Sequence, residues 1–288
     1  MYKKTAEQTK ATVAVAAAED PNVLEAIVDA QEIALFTLVG DKEKILKEAE
    51  DLKLDISPCE IINEPDPINA CKVAVNLVAA DKAQALMKGL IDTSVIMKAV
   101  LDKDAGMHTS RKLSHLAVFE VPAYHKLLFV TDAAINIAPD INEQQEIIQN
   151  AIDAVKSLGI SLPKVALLAA KEKADPKMPA TMDAAQLTNR FRKGEITGCI
   201  LDGPLALDNA VSAESIKIKG IKSPVGGDAD ILVCPNIEAG IILYKTLAFL
   251  GNAKVGGVVL GAKRPVILTS RADSAESKRI SIALGILS

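Results

Sequence analysis

Short apolar runs rich in β-branched residues alternate along the chain with amphipathic segments that open on Asp or Asp-Pro, the rhythm of βαβ units in a parallel sheet. The pattern predicts a strand at 12–17, a helix at 21–31, and a strand at 33–39 ended by Gly40, where Asp41 caps a charged helix to about Asp51. A brief strand at 59–62 follows, then a helix at 68–79 behind Asp66-Pro67, a capping acid with a proline suited to the first turn. The next strand, 85–87, ends in Lys88-Gly89, and Asp92, Thr93 and Ser94 offer caps for a helix to about Leu101. Runs at 116–121 and 127–131 are separated by Pro122-Ala123-Tyr124-His125, too short for a crossover helix, so they should pair antiparallel.

A long amphipathic helix over 142–158 opens a second series. It continues with a strand at 165–169, a helix over about 182–192, a strand at 198–201 and a loop rich in Ala, Asn and Lys. A strand at 231–233, a helix over about 238–250 and a strand at 255–260 complete it. The final strand and helix, 266–287, are placed back with the first series. The expected division is therefore 1–134 plus 261–288 as a first α/β domain and 135–260 as a second.

The stretch Lys263 to Arg279 concentrates the candidate chemistry. Val266-Ile267-Leu268 reads as a strand buried on both faces, and Thr269, Ser270 and Arg271 arrive where it ends. Asp273 and Glu276 then suggest an acidic N-cap with an acid at the third helical position. Ligands of open α/β sheets bind beyond the carboxyl ends of strands, and helix N-termini attract anions, so this turn suits phosphate. Arg271 adds a planar, permanently charged donor. Lys88-Gly89 repeats the arrangement, a cation and a glycine between a strand and a helix. The plainer alternative is that the acids only cap and the lysine is only solvated.

Composition narrows the classes. A 288-residue chain exceeds one ordinary core, and 49% apolar residues can fill two. Aromatic content of 3% with no Trp argues against stacking platforms, and a net charge of −4 argues against general nucleic-acid binding. The four cysteines lack CxxC spacing and read as buried thiols in a reducing compartment. No signal peptide or membrane span is expected, and a cytoplasmic protein is. VGGVVLGAK fails the phosphate-loop pattern, no GxGxxG or GxSxG occurs, and His108, His115 and His125 lack metal-ligand spacing. No metal is therefore expected.

Three stretches together, LDGPLALDNAVSAE (201–214), PVGGDADILVCPNIEAGIILYKTL (224–247) and VVLGAKRPVILTSRADSAESK (258–278), resemble the phosphate acyltransferases, most closely the phosphate butyryltransferase branch. LMKGLIDTS (86–94), LSHLAVFEVP (113–122) and TDAAINIAPD (131–140) fit the same branch. The resemblance implies a two-domain α/β/α fold like that of isocitrate and isopropylmalate dehydrogenases, with mostly parallel sheets, an interdomain cleft and a homodimer joined through the second domain. It implies reversible acyl transfer from short-chain acyl-CoA, butyryl-CoA favoured, to inorganic phosphate, with CoA as substrate and no tightly bound cofactor.

By the same resemblance Arg271 holds the transferring phosphate and Ser270 bonds the acyl or thiol region. Lys88, Gly89, Thr93, Ser114, Asp132, Asn236 and Lys263 form the candidate substrate-binding set. Acetyl-transferring members carry an acid where this chain has Ser277, which leaves Asp273 or Glu276 as the possible base. Ile241 stands where relatives often have Asn. The alternatives are a phosphate acetyltransferase, a metal- and NAD-dependent decarboxylating dehydrogenase, or a non-catalytic acyl-CoA binder.

Overall fold

The computed structural model describes residues 10–269 and 273–288. In chain order the elements are β1 (Ala11–Ala16), α1 (Pro21–Ala30), β2 (Ala34–Gly40), α2 (Lys42–Asp51), β3 (Glu60–Asn63), α3 (Pro67–Ala79), β4 (Ala85–Lys88) and α4 (Thr93–Leu101). Next come β5 (Ser114–Glu120), β6 (Leu128–Thr131), α5 (Ile141–Ser157), β7 (Lys164–Leu168), α6 (Pro179–Arg192), β8 (Ile200–Leu205), α7 (Leu207–Val211) and α8 (Ala213–Lys219). The chain finishes with β9 (Ile231–Val233), α9 (Ile237–Lys245), β10 (Lys254–Leu260), β11 (Val266–Ile267) and α10 (Ala275–Leu287). Caps explain several starts. Asp20, Asp41, Asp66 and Asp140 each accept backbone N–H groups of the first turn that follows, and Asp140 with Glu143 closes a full capping box.

Two compact units result, 1–111 with 256–288 and 112–255. In the first, the strand order is β3-β2-β1-β4-β11-β10, with every pair parallel except β10–β11. Ala16 aligns with Lys88 and Ile267 with Met87, so β1, β4 and β11 end on the same edge. Its core joins Val13, Val15, Leu24, Phe36, Leu38 and Ile45 with Met87, Ile267 and Ile282. The second unit orders β5-β6-β9-β7-β8, parallel apart from the β5–β6 pair, over a core that includes Phe119, Val130, Leu205 and Leu232. Each unit's sheet is thus mixed, because a short hairpin supplies one antiparallel neighbour where no crossover helix intervenes.

Four readings change. The last helix is capped by Ser274, whose hydroxyl accepts from the Ser277 N–H, and not by Asp273. The segment expected as a loop after β8 holds α7 and α8, pieces too short for periodicity to reveal. The segment read as one helix over 238–250 is α9 followed by a π-turn, Thr246–Leu250. Strand β11 is two residues long, with Val266 and Ile267 fully buried and Leu268 only partly so.

Candidate functional site

The carboxyl ends of β1 and β4 meet so closely that only glycine fits. A Cβ on Gly89 would lie 2.0 Å from the Ala17 carbonyl oxygen. Gly89 N–H donates to Ala16 O at 2.8 Å and Leu90 N–H to Ala17 O at 2.6 Å, which continues the β1–β4 pairing past the strands. Lys88 curls back over this crossing, its ammonium donating to Gly89 O at 3.2 Å and Ile91 O at 3.1 Å. Burial pushes the Cys71 thiol up to about 11, and the Lys88 charge opposes that rise. Thr93 is the exposed first residue of α4, and Asp92 stands at the cap position without a side-chain cap bond.

Within the same unit, Thr269 follows β11 and is 4% exposed. Ser270 and Arg271 come next and lie outside the described residues. Beyond them, the Asp273 carbonyl accepts from Lys278 Nζ at 2.9 Å, while Glu276 is exposed in the first turn of α10. Lys263 is not brought to this edge. It precedes β11, and its ammonium binds Ala79 O at 2.6 Å and Asp81 Oδ2 at 3.0 Å, at the amino ends of the strands. There it and Arg264 lower the Asp81 carboxyl, by hydrogen bonds above all.

The second unit gathers Ser114, Asp132 and Asn236. Asp132, 4% exposed, accepts from Ala134 N at 2.8 Å, Ile135 N at 3.0 Å, Asn136 N at 3.3 Å and Asn136 Nδ2 at 2.5 Å. Such a carboxylate is a loop anchor with its lone pairs in use. Ser114, 1% exposed, accepts from Asn150 Nδ2 at 3.0 Å. Asn236 caps α9 through Ala239 N at 2.9 Å, and a Cβ on Gly240 would meet Asp132 O at 2.2 Å, so this helix start seats directly on the Asp132 turn. Asp228 and Asp230, the paired acids a metal reading would need, are engaged by Lys126, Lys164 and His125 at 2.7 to 2.9 Å. Among the described residues no group of three or more His, Cys, Asp or Glu side chains is arranged to hold a metal.

Residues 67–286 match the family described as phosphate acetyl/butaryl transferase. The chain belongs to that family. It is 45% identical to the phosphate butyryltransferase of Clostridium acetobutylicum over 289 residues, covering 100% of this chain and 95% of that protein. It is 43% identical to the phosphate acetyltransferase of Rhizobium meliloti, covering 93% and 85%. A branched-chain phosphotransacylase from Enterococcus faecalis superposes with a TM-score of 0.86 at 36% identity, covering 96% of this chain and 98% of that one. The family's chemistry is reversible acyl transfer between an acyl-CoA and phosphate.

These matches also correct the fold expectation. The likeness to isocitrate and isopropylmalate dehydrogenases does not hold, and the architecture is that of the phosphotransacylases, with mixed sheets. That likeness came with the family resemblance, and the βαβ rhythm, shared by many α/β folds, could not check it.

Two features escaped the sequence reading. One is a groove between α3 and α4, about 780 Å³, whose lining includes Ile68, Val75, Lys72, Ser94, Lys98 and Asp102. Its lysines lie far apart in sequence and share no motif. The other is Lys278, 2% exposed within α10. Its signal was present, since it falls in phase with Ile282 and Gly285 in an otherwise small and apolar stripe.

Proposed function

We propose that the chain converts a short-chain acyl-CoA, butyryl-CoA preferred, and inorganic phosphate into acyl phosphate and CoA. The observation that carries this is that β11, which Thr269, Ser270 and Arg271 follow in sequence, ends on the same edge as β1 and β4, in a chain that belongs to a family of that chemistry. A phosphate oxygen attacks the thioester carbonyl carbon, the C–O bond forms, the C–S bond breaks, and CoA leaves as thiolate. Arg271 holds the phosphate through its planar fork, and Ser270 donates to the carbonyl or thiol region as negative charge develops. Lys88 supports the same edge, and Thr93 opens α4 there. The butyryl preference follows the 45% identity to a butyryltransferase, although a methylene or two changes binding by only about 1–3 kcal/mol.

The test is release of free thiol from butyryl-CoA, acetyl-CoA and branched acyl-CoA with and without phosphate. Phosphate-dependent release that survives a chelator supports the reading. Activity abolished by EDTA, or reduction of NAD instead, overturns it.

A cytoplasmic setting fits the four cysteines, which form no disulfide, and no described helix is long and apolar enough to cross a membrane. The homodimer is assigned to the second unit because Ile242, Phe249 and Leu250 are 66%, 78% and 84% exposed around the end of α9. Light scattering should give a dimer at micromolar concentration, and Phe249→Glu should shift it toward monomer. A monomeric wild type would refute the assignment.

A further inference from the structure

Helix α10 contains a charge that its packing does not require. Lys278, Ser281, Ile282 and Gly285 are all buried and recur at helical spacing, so they form one stripe. Gly285 presses on β11, where an added Cβ would come within 2.5 Å of Ile267 Cγ1. Lys278 stands seven residues earlier, about 10 Å back along the helix, and therefore toward the carboxyl end of that strand. Its side chain is 2% exposed, and its ammonium donates to Asp273 O at 2.9 Å. That bond uses one of three N–H donors. An aliphatic residue would fill the position without desolvating an ion, as Ile282 does one turn later. A carbonyl partner orients the ammonium without placing an opposite charge beside it.

We propose that Lys278 is a positioning residue of the acyl-transfer site, fixing the entry of α10 through the Asp273 carbonyl and holding a buried positive charge behind the substrate phosphate. The proposal rests on the reading of the β11 end as the phosphate site. Loss of the lysine should weaken phosphate more than acyl-CoA, because phosphate carries its charge at the reacting end whereas CoA gains its binding along its length.

The experiment compares wild type, Lys278→Met, Lys278→Gln and Lys278→Arg by kcat, by KM for phosphate and for butyryl-CoA separately, and by the rise in Tm on adding inorganic phosphate. Lys278→Met should raise the phosphate KM roughly ten-fold to a hundred-fold and abolish the phosphate-induced rise in Tm. The butyryl-CoA KM should stay within about three-fold. Lys278→Arg should recover most of the phosphate affinity. Folded Lys278→Met with the wild-type phosphate KM overturns the proposal, as does a lowered Tm with both KM values unchanged, the signature of a packing role alone. If Lys278→Met does not fold, the neutral donor in Lys278→Gln decides, and a wild-type phosphate KM there has the same consequence. Wild type without phosphate-dependent thiol release would instead remove the functional reading on which this rests.

Discussion

Lysines at the amino and at the carboxyl ends of strands have different partners, as one set from each unit shows. In the second unit, Lys126 and Lys164 sit at the amino ends of β6 and β7 and bind Asp228 and Asp230 at 2.7 to 2.9 Å, so charge is cancelled within the cluster. In the first, Lys88 and Lys278 lie toward the carboxyl ends of β4 and β11 and donate to the carbonyls of Gly89, Ile91 and Asp273. A carbonyl orients an ammonium without neutralising it. The first arrangement stabilises a fold; the second places lysines at the edge we propose for phosphate, in a protein of net charge −4.

The sharpest way to break this contrast is at Arg271. Replacement by Lys keeps the charge and loses the planar fork, so turnover efficiency should fall roughly thirty-fold to a thousand-fold. Ser270→Ala should cost less, since a neutral hydroxyl forms a weaker bond. Steady-state kinetics with phosphate varied checks both. Full activity in Arg271→Lys would mean that potential alone suffices and geometry does not matter. Gly89→Ala tests the crossing beneath Lys88. Its methyl would have to displace the Ala17 carbonyl from a 2.0 Å approach, so stability should fall by about 1–3 kcal/mol, read as a lower Tm and urea midpoint. A Gly89→Ala variant as stable as wild type would show that β1 and β4 can part without loss.

Much of this was legible because local chemistry decided it. Asp20-Pro21, Asp41 and Asp66-Pro67 announced helices that begin where expected, since a carboxylate one residue before a helix satisfies its open N–H groups. Lys88-Gly89 stood out for its residue types, and the structure supplies the reason for the glycine. What the sequence did not show depended on partners outside the local stretch. Lys263 entered the candidate substrate-binding set, and Asp81 and the Ala79 carbonyl hold it at the other edge. Asp132 read as a substrate contact, and four donors from its own loop claim it. Nothing in either local sequence separates those outcomes.

One residue of register separates two readings of the turn into α10. Ser274 accepts from Ser277 N at 3.1 Å, so Ser274→Ala should lower stability by about 1 kcal/mol. Asp273→Ala leaves the carbonyl that Lys278 uses and should change stability by less. Thermal unfolding of both variants settles the order, and a larger loss in Asp273→Ala would restore the acid as the cap.

The smallest effect concerns the neutral cluster of the second unit. Hydrogen bonds from Lys164 and then Lys126 hold the Asp228 carboxyl well below its usual range. A carboxyl depressed by folding contributes stability that is complete above its unfolded value of about 3.9 and is lost as pH falls through the folded value. Acidification below about pH 4 should therefore weaken the second unit. Asp228→Asn should lower Tm at pH 7 and flatten the decline between about pH 4 and pH 2. Because the Asp228 side chain is 41% exposed, water and salt screen the cluster, and the loss should stay near or below about 1 kcal/mol. Added salt should shrink it further in wild type, whereas the phosphate KM should be untouched by the same substitution. A shifted phosphate KM in Asp228→Asn would mean that the amino-end cluster, too, contributes to substrate binding, and the division between cancelled and retained charge would fail.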